Sequence, residues 1–178
     1  MGVQLGDFLD WMDQFTERVP LEELTERLRR LDVDLRELRP FMRFSPERYQ
    51  RNLLHEGPGY HALLLCWRNG QRSPIHDHRG SSCGMRILQG VATETVFDRA
   101  ANGLVYPISS KQLPPGTVAG SQDDDIHQVS NLQPGGADLV TLHVYSPPLL
   151  VMGMYSLTEP HIGEFADPIF QFAAGAGI

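Results

Sequence analysis

His76 and His78 stand two residues apart in Ser73-Pro-Ile-His76-Asp-His78. On an extended strand, residues i and i+2 face the same way, so both imidazoles can meet one metal ion. The pair alone is more often chance or a polar surface patch than a metal site. A stable site with open positions needs a third donor, and His127, in Asp125-Ile-His127-Gln-Val-Ser-Asn131, is the best placed. Three neutral imidazoles would leave the charge of a divalent ion uncompensated. Such a site favours an anionic incoming ligand, for example a thiolate. A six-coordinate ion would keep about three positions open. Thr141, His143 and Tyr145 alternate along one apolar run and so share a face. A core strand with a satisfied histidine would show the same alternation.

These residues need a rigid frame. The first 44 residues read as helical: Leu5, Phe8, Leu9, Met12 and Phe15 follow helical spacing. Pro20 breaks that run and suits the first turn of a second helix, along which Leu21, Leu24, Leu28 and Leu31 form one stripe. A short third helix is expected from Asp34 to Arg39, before Pro40. From Arg51 the texture changes. His61–Trp67, Met85–Leu88, Ala92–Phe97, Gly103–Ile108 and Leu139–Tyr145 are short, rich in branched and aromatic residues, and separated by Gly, Pro and Asn-Gly turn signals. Strands at this spacing predict a mainly β sandwich or small barrel with a helical cap. The length of 178 residues suits one domain, 1–178, with a cap over 1–44, a barrel over 45–155 and a C-terminal extension over 156–178. Tyr155, Phe165, Phe170 and Phe172 predict partial docking of that extension, and the last six residues are expected to fray.

Composition closes off several functions. The net charge of −7 offers no electrostatic footprint for nucleic acid or anionic lipid. No apolar run is long enough to span a bilayer, and Asp7, Asp10 and Asp13 interrupt any leader at the N-terminus. Two cysteines make no disulfide framework, so a reducing, cytoplasmic setting is expected. Gly-x-Ser-x-Gly, phosphate-loop and dinucleotide fingerprints are absent. Asp123-Asp124-Asp125 reads as a solvated loop. His55, His61 and His161 have no partner at ligand spacing, His161 is expected at the surface, and Cys66 is expected to pack in a strand.

Gly70, five residues, His76, one residue, His78 and then Gly90 resemble the first signature of the cupin superfamily; His127, three residues and Asn131 resemble the end of its second. The resemblance implies a double-stranded β-helix holding a metal between the two motifs. It departs at Cys83, where a cupin usually carries a glutamate, and Pro115-Gly116 lies farther from His127 than the pattern expects. With Arg48-Tyr49-Gln-Arg51-Asn52-Leu53, Leu65-Cys66-Trp67, Leu88-Gln89-Gly90, Glu94-Thr95 and Leu142-His143-Val144-Tyr145-Ser146-Pro147-Pro148, the chain resembles the cysteine dioxygenase type I family, as a bacterial-type member, over roughly 45–150. That resemblance implies non-haem Fe(II) held by His76, His78 and His127, with L-cysteine and O2 giving cysteine sulfinic acid. It implies that Arg51 binds the substrate carboxylate with help from Tyr49. It also implies that Tyr145, oriented by His143 with Thr141 in place of the family's serine, acts beside the metal. Cys83 matches the cysteine that animal members link to the tyrosine, so a Cys83–Tyr145 thioether and a free buried thiol are both open.

Relatives that prefer 3-mercaptopropionate tend to carry glutamine where this chain has Arg51, so Arg51 favours cysteine. A non-catalytic binding cupin and a zinc or nickel isomerase remain as other classes, since imidazole serves several metals. The expected partners are a small thiol and O2, with no nucleic acid and no membrane, acting on a monomer.

Overall fold

The computed structural model describes residues 2–171 apart from 124, 161, 162 and 167. The chain begins with β1 (Val3–Gln4), α1 (Leu5–Met12), α2 (Leu21–Arg30), β2 (Leu31–Asp32) and α3 (Leu35–Leu38). It continues through β3 (Gln50–Gly57), β4 (Tyr60–Trp67), β5 (Ile75–His76), β6 (Ser82–Gln89) and β7 (Ala92–Arg99). Then come β8 (Val105–Leu113), β9 (Val118–Gln122), β10 (Ile126–Ser130), β11 (Leu139–Ser146), β12 (Met152–Tyr155), β13 (Gly163–Phe165) and β14 (Ile169–Phe170).

The three helices stand where the apolar spacing places them, with three differences. Leu31, the last of the leucine stripe, lies in β2 and not on the second helix. The first helix stops at Met12, and Phe15 instead folds back edge-on to Trp11, 5.0 Å between ring centroids. Pro20 is extended (ψ 133°) and lies just ahead of the second helix rather than in its first turn. The parallel pair β1–β2 that ties the cap together was not expected: two residues per strand are too short to carry a periodic signal. Asp34 starts α3 by accepting the Arg36 amide at 2.9 Å.

The strands form two six-stranded sheets, ordered β13-β12-β5-β10-β7-β8 and β14-β3-β4-β11-β6-β9. This is the double-stranded β-helix. Strands β4 and β11 are buried on both faces, which is why they read as unbroken apolar runs. Alternation divides their side chains between two cores. Tyr60, Ala62, Leu64, Cys66, Val140, Leu142 and Val144 pack under the helices. Leu63, Leu65, Trp67, Leu139 and Tyr145 point into the sandwich. Helix α2 sits close on β6 and β9 because Gly84 and Gly120 face each other there. A Cβ at Gly84 would collide with Leu28, and one at Gly120 would reach Thr25 at 2.8 Å.

The C-terminal stretch docks, as its aromatics suggest. Strand β13 extends one sheet beyond β12, and β14 runs parallel to β3 in the other, with Ile169 opposite Arg51. Phe165 and Ile169 pack against the inner core, while Phe170 stays exposed. The expectations for His161, Phe172 and the last six residues fall outside the described residues. No helix among the described residues is long and apolar enough to cross a membrane.

Candidate active site

Each sheet contributes a different kind of group. His76 on β5 and His127 on β10 are directly opposite each other in register. His78 joins them, and one ligand atom from each of the three lies within 4.8 Å of the others. His78 departs from the strand geometry anticipated for the pair, because β5 ends at His76. The chain turns there through Arg79 and Gly80, both at positive φ, with the His78 and Arg79 amides donating to the Asp123 carbonyl at 2.9 and 3.2 Å. The imidazoles still converge, with ring centroids 4.7–5.3 Å apart.

The far nitrogens decide which atoms are left for a metal. His76 Nδ1 donates to the Pro74 carbonyl at 3.0 Å, and His127 Nδ1 to the Glu94 carboxylate at 2.9 Å. Each bond fixes the proton on Nδ1 and leaves Nε2 as a lone-pair donor. His78 is different. It is fully buried, and among the described residues neither of its ring nitrogens has a hydrogen-bond partner. The Asp125 main chain approaches it without bonding geometry. Buried polar atoms of this kind are rare unless a ligand satisfies them, so the three-histidine cluster fits a bound transition-metal ion. Glu94, which the sequence reading gives no role, belongs to the cluster's surroundings through this contact. Its signal was a carboxylate in an otherwise branched strand. It places one negative charge a single imidazole away from the cluster, so the charge of a bound metal is less exposed than three imidazoles alone imply.

The other sheet faces this cluster with Arg51 on β3, Cys83 on β6, and Thr141, His143 and Tyr145 on β11. Arg51 is 2 % exposed, its guanidinium donates to the Leu149 carbonyl at 3.3 Å, and its Cζ lies 5.6 Å from the centre of the Tyr145 ring. Tyr49 is buried nearby, stacked on Trp67 with centroids 4.2 Å apart. The alternating strand residues form a continuous row. Trp67 Nε1 donates to Thr141 Oγ1 at 3.1 Å, Thr141 Oγ1 meets His143 Nε2 at 2.9 Å, and His143 Nδ1 meets the Tyr145 hydroxyl at 3.0 Å. An indole can only donate. The buried Thr141 hydroxyl must therefore place its own proton on His143 Nε2, its remaining partner among the described residues. His143 then carries its proton on Nδ1 and donates it to the Tyr145 oxygen, leaving the phenolic proton to be given elsewhere. Trp67 was expected to be part of an apolar strand only, yet it sets this order. Cys83 is directly opposite Tyr145, and the two side chains are within hydrogen-bond reach.

Burial sets the protonation of His76, His78, His143 and Cys83. Desolvation, then the neighbouring His127, pushes His76 down to about 3. His78 and His143 are also held well below the usual histidine range, by burial first and by His127 next. Burial pushes the Cys83 thiol up to about 12, so it is held as a neutral thiol. The three lowered histidines give a signed prediction for the metal-free protein. An unfolded histidine titrates near about 6.5, so below that pH the unfolded chain binds protons that the folded one excludes. Stability is therefore full above about pH 6.5 and falls as pH drops, the His76 share being lost down to about 3. The thermal midpoint of the metal-free protein should fall by on the order of 10 °C between pH 7 and pH 5. His143→Gln should flatten that fall, and a midpoint independent of pH over this range would contradict these protonation states.

The remaining candidates separate cleanly. Cys66 is buried among the core side chains under the helices. His55 and His61 lie beside Asp13 and Glu56, at 3.3 and 3.4 Å, away from the cluster. Asp123 is not simply solvated: Arg18 from the helical cap grips both its carboxylate oxygens, at 2.7 and 3.0 Å.

Comparison with known proteins agrees with this geometry. The family model "Cysteine dioxygenase type I" matches residues 9–157. Cysteine dioxygenase type 1 of Danio rerio is 33 % identical over 151 residues, covering 81 % of this chain and 75 % of that protein. The Homo sapiens protein of the same name is 34 % identical over 137 residues, covering 74 % and 68 %. Among solved structures, TT1209 from Thermus thermophilus superposes with a TM-score of 0.53 at 21 % identity, over 66 % of this chain and 97 % of that one, a likeness of fold. The interior between the two sheets, with three imidazoles on one side and an arginine and a tyrosine relay on the other, is thus set in a chain that belongs to the cysteine dioxygenase type I family.

Proposed function

We propose that this enzyme is a non-haem iron thiol dioxygenase that converts L-cysteine and O2 to cysteine sulfinic acid. The observation that carries the reading is the opposition, inside one buried interior, of three convergent imidazoles and a buried guanidinium. Fe(II), held by His76, His78 and His127, would supply the redox chemistry by which O2 reacts with sulfur. Both oxygen atoms enter the product, so thiol plus O2 balances to sulfinic acid with no external reductant. The protein supplies the rest. Arg51 receives the carboxylate in two parallel hydrogen bonds, with Tyr49 bracing its surroundings. Tyr145, its oxygen already engaged by His143, offers its proton to an anionic atom between the sheets. The apolar inner core excludes water and keeps these charges strong. We place the reaction in the cytoplasm and in a monomer.

The juxtaposition of Cys83 and Tyr145 supports a thioether between them. Joining sulfur to the ring carbon beside the phenol removes one hydrogen from each residue. O2 is the oxidant, accepting both hydrogens as hydrogen peroxide. Peptide mapping after turnover should find the two peptides joined and lighter than their sum by two hydrogens. Finding the Cys83 peptide only as free thiol would refute the link.

Oxygen uptake by protein loaded anaerobically with Fe(II), comparing L-cysteine with 3-mercaptopropionate, tests the function itself. Faster uptake with cysteine and one O2 per sulfinate is the expected result. Preference for 3-mercaptopropionate would keep the chemistry and change the substrate. No uptake with any thiol, in protein shown to hold iron, would favour a binding cupin.

A further inference from the structure

His76 and His127 are aimed by hydrogen bonds to their own rings. His78 has none among the described residues, so its aim depends on how its main chain is held. Asp77, between the two ligands, turns its side chain away from the imidazoles and is 5 % exposed. Its Oδ1 accepts the Gly153 amide at 2.8 Å and its Oδ2 accepts the Tyr155 hydroxyl at 2.9 Å. Its own amide donates to the Gly153 carbonyl at 3.2 Å. A Cβ at residue 153 would collide with the Asp77 carboxylate, so β12 is shaped to receive it. One residue past His78, Arg79 pairs with Glu164 of β13 at 2.7 Å.

From this we infer that Asp77 is a positioning residue for the metal site: gripped by Gly153 and Tyr155, its carboxylate anchors the turn that aims His78, so metal affinity depends on the docking of β12. The inference rests on the three histidines holding a metal. Only a carboxylate accepts at both oxygens, and the three described partners of the Asp77 side chain are all donors: the Gly153 amide, the Tyr155 hydroxyl and Arg79, whose Nε lies 3.7 Å from Oδ1. An asparagine would present its amide nitrogen to one of them, losing a bond and opposing donor to donor. The coupling is reciprocal: whatever β12 docking contributes to metal affinity, metal binding returns as stability of β12.

Co(II) titration of the full chain, followed by its visible absorption, tests this. Asp77→Asn should raise the Co(II) dissociation constant by about 10–100-fold, the usual effect of removing an outer partner of a ligand. Tyr155→Phe, which removes one hydrogen bond and adds no atoms, should raise it several-fold and carries the test if Asp77→Asn does not fold. Both variants should show an altered Co(II) absorption spectrum at saturation, while the metal-free Tyr155→Phe protein keeps a single cooperative unfolding transition, with a midpoint somewhat below that of the parent. In the parent, Co(II) should slow hydrogen exchange at the Gly153 amide. Dissociation constants within twofold of the parent, with an unchanged spectrum, would overturn the inference. A parent protein that binds no Co(II) would instead overturn the metal site and the inference with it.

Discussion

His78→Leu should abolish the metal response and yet make the metal-free protein harder to unfold. The imidazole of His78 is fully buried, with two ring nitrogens that no described residue satisfies. Each unsatisfied buried group costs about 1–3 kcal/mol, and an apolar group of similar shape removes that cost. Leucine has such a shape and needs no partner. A gain of this size raises the thermal midpoint of a chain of this length by roughly 2–4 °C per kcal/mol, so a rise of several degrees is expected. The parent behaves in the opposite way when metal is added. A ligand at a hundredfold excess over its dissociation constant stabilises the native state by about 2.7 kcal/mol, and this rise should vanish in the variant. Scanning calorimetry of both proteins, with and without Fe(II) under anaerobic conditions, reads both effects at once. A metal-free variant that melts below the parent would mean that His78 is well accommodated as it stands. A retained metal-induced rise would mean that it is not a ligand. The prediction places the cost of the site in the fold: a polar atom kept unsatisfied so that an ion can satisfy it.

How far such a site can be read from sequence depends on whether its parts announce themselves locally. His76 with His78, and Thr141 with His143 and Tyr145, stand out because their spacing matches a strand period, His127 as the third donor that the pair needs, and the structure brings all six into one interior. The helical cap was legible for the same reason, through leucines at helical spacing. What was hidden is non-local. Glu94 gains meaning only when β7 pairs with β10 and sets it beside His127. Trp67 enters the tyrosine relay because β4 and β11 are neighbours. Asp77 reads as a spacer between two histidines until β12 arrives 76 residues later to take its carboxylate. The strand geometry expected for His78 failed because a two-residue strand cannot extend its alternation past its own end. The chain turns instead on contacts to Asp123, in a loop that composition alone marks as solvated.

Arg51→Gln should cut kcat/KM for L-cysteine by on the order of a hundredfold or more, while 3-mercaptopropionate turnover falls far less. Arg51 is buried in the same interior as the histidines, and its charge already reaches the cluster, helping to disfavour protonated His76 and His143. A substrate carboxylate entering that interior gives up water, and the guanidinium repays it with a charged, bidentate contact. Truncating one partner of a buried charge pair costs about 2–5 kcal/mol, and the lower half of that range is already a factor of roughly 30 to 300 at about 1.4 kcal/mol per decade. Glutamine keeps one donor but no charge. The two substrates differ in how much they depend on it. Cysteine has an amine as well as a thiol, so with a metal held by the three histidines both could serve as donors, which would fix the direction of its carboxylate and leave Arg51 as the group to meet it. 3-Mercaptopropionate lacks the amine, so its carboxylate keeps the freedom to turn toward another donor. Steady-state kinetics on both thiols, with iron content matched between parent and variant, measure the difference. Equal losses on the two substrates would remove Arg51 as the residue of selectivity while leaving the metal site intact. A rise in KM with kcat unchanged would mark it as a binding group that does nothing further for the reacting sulfur.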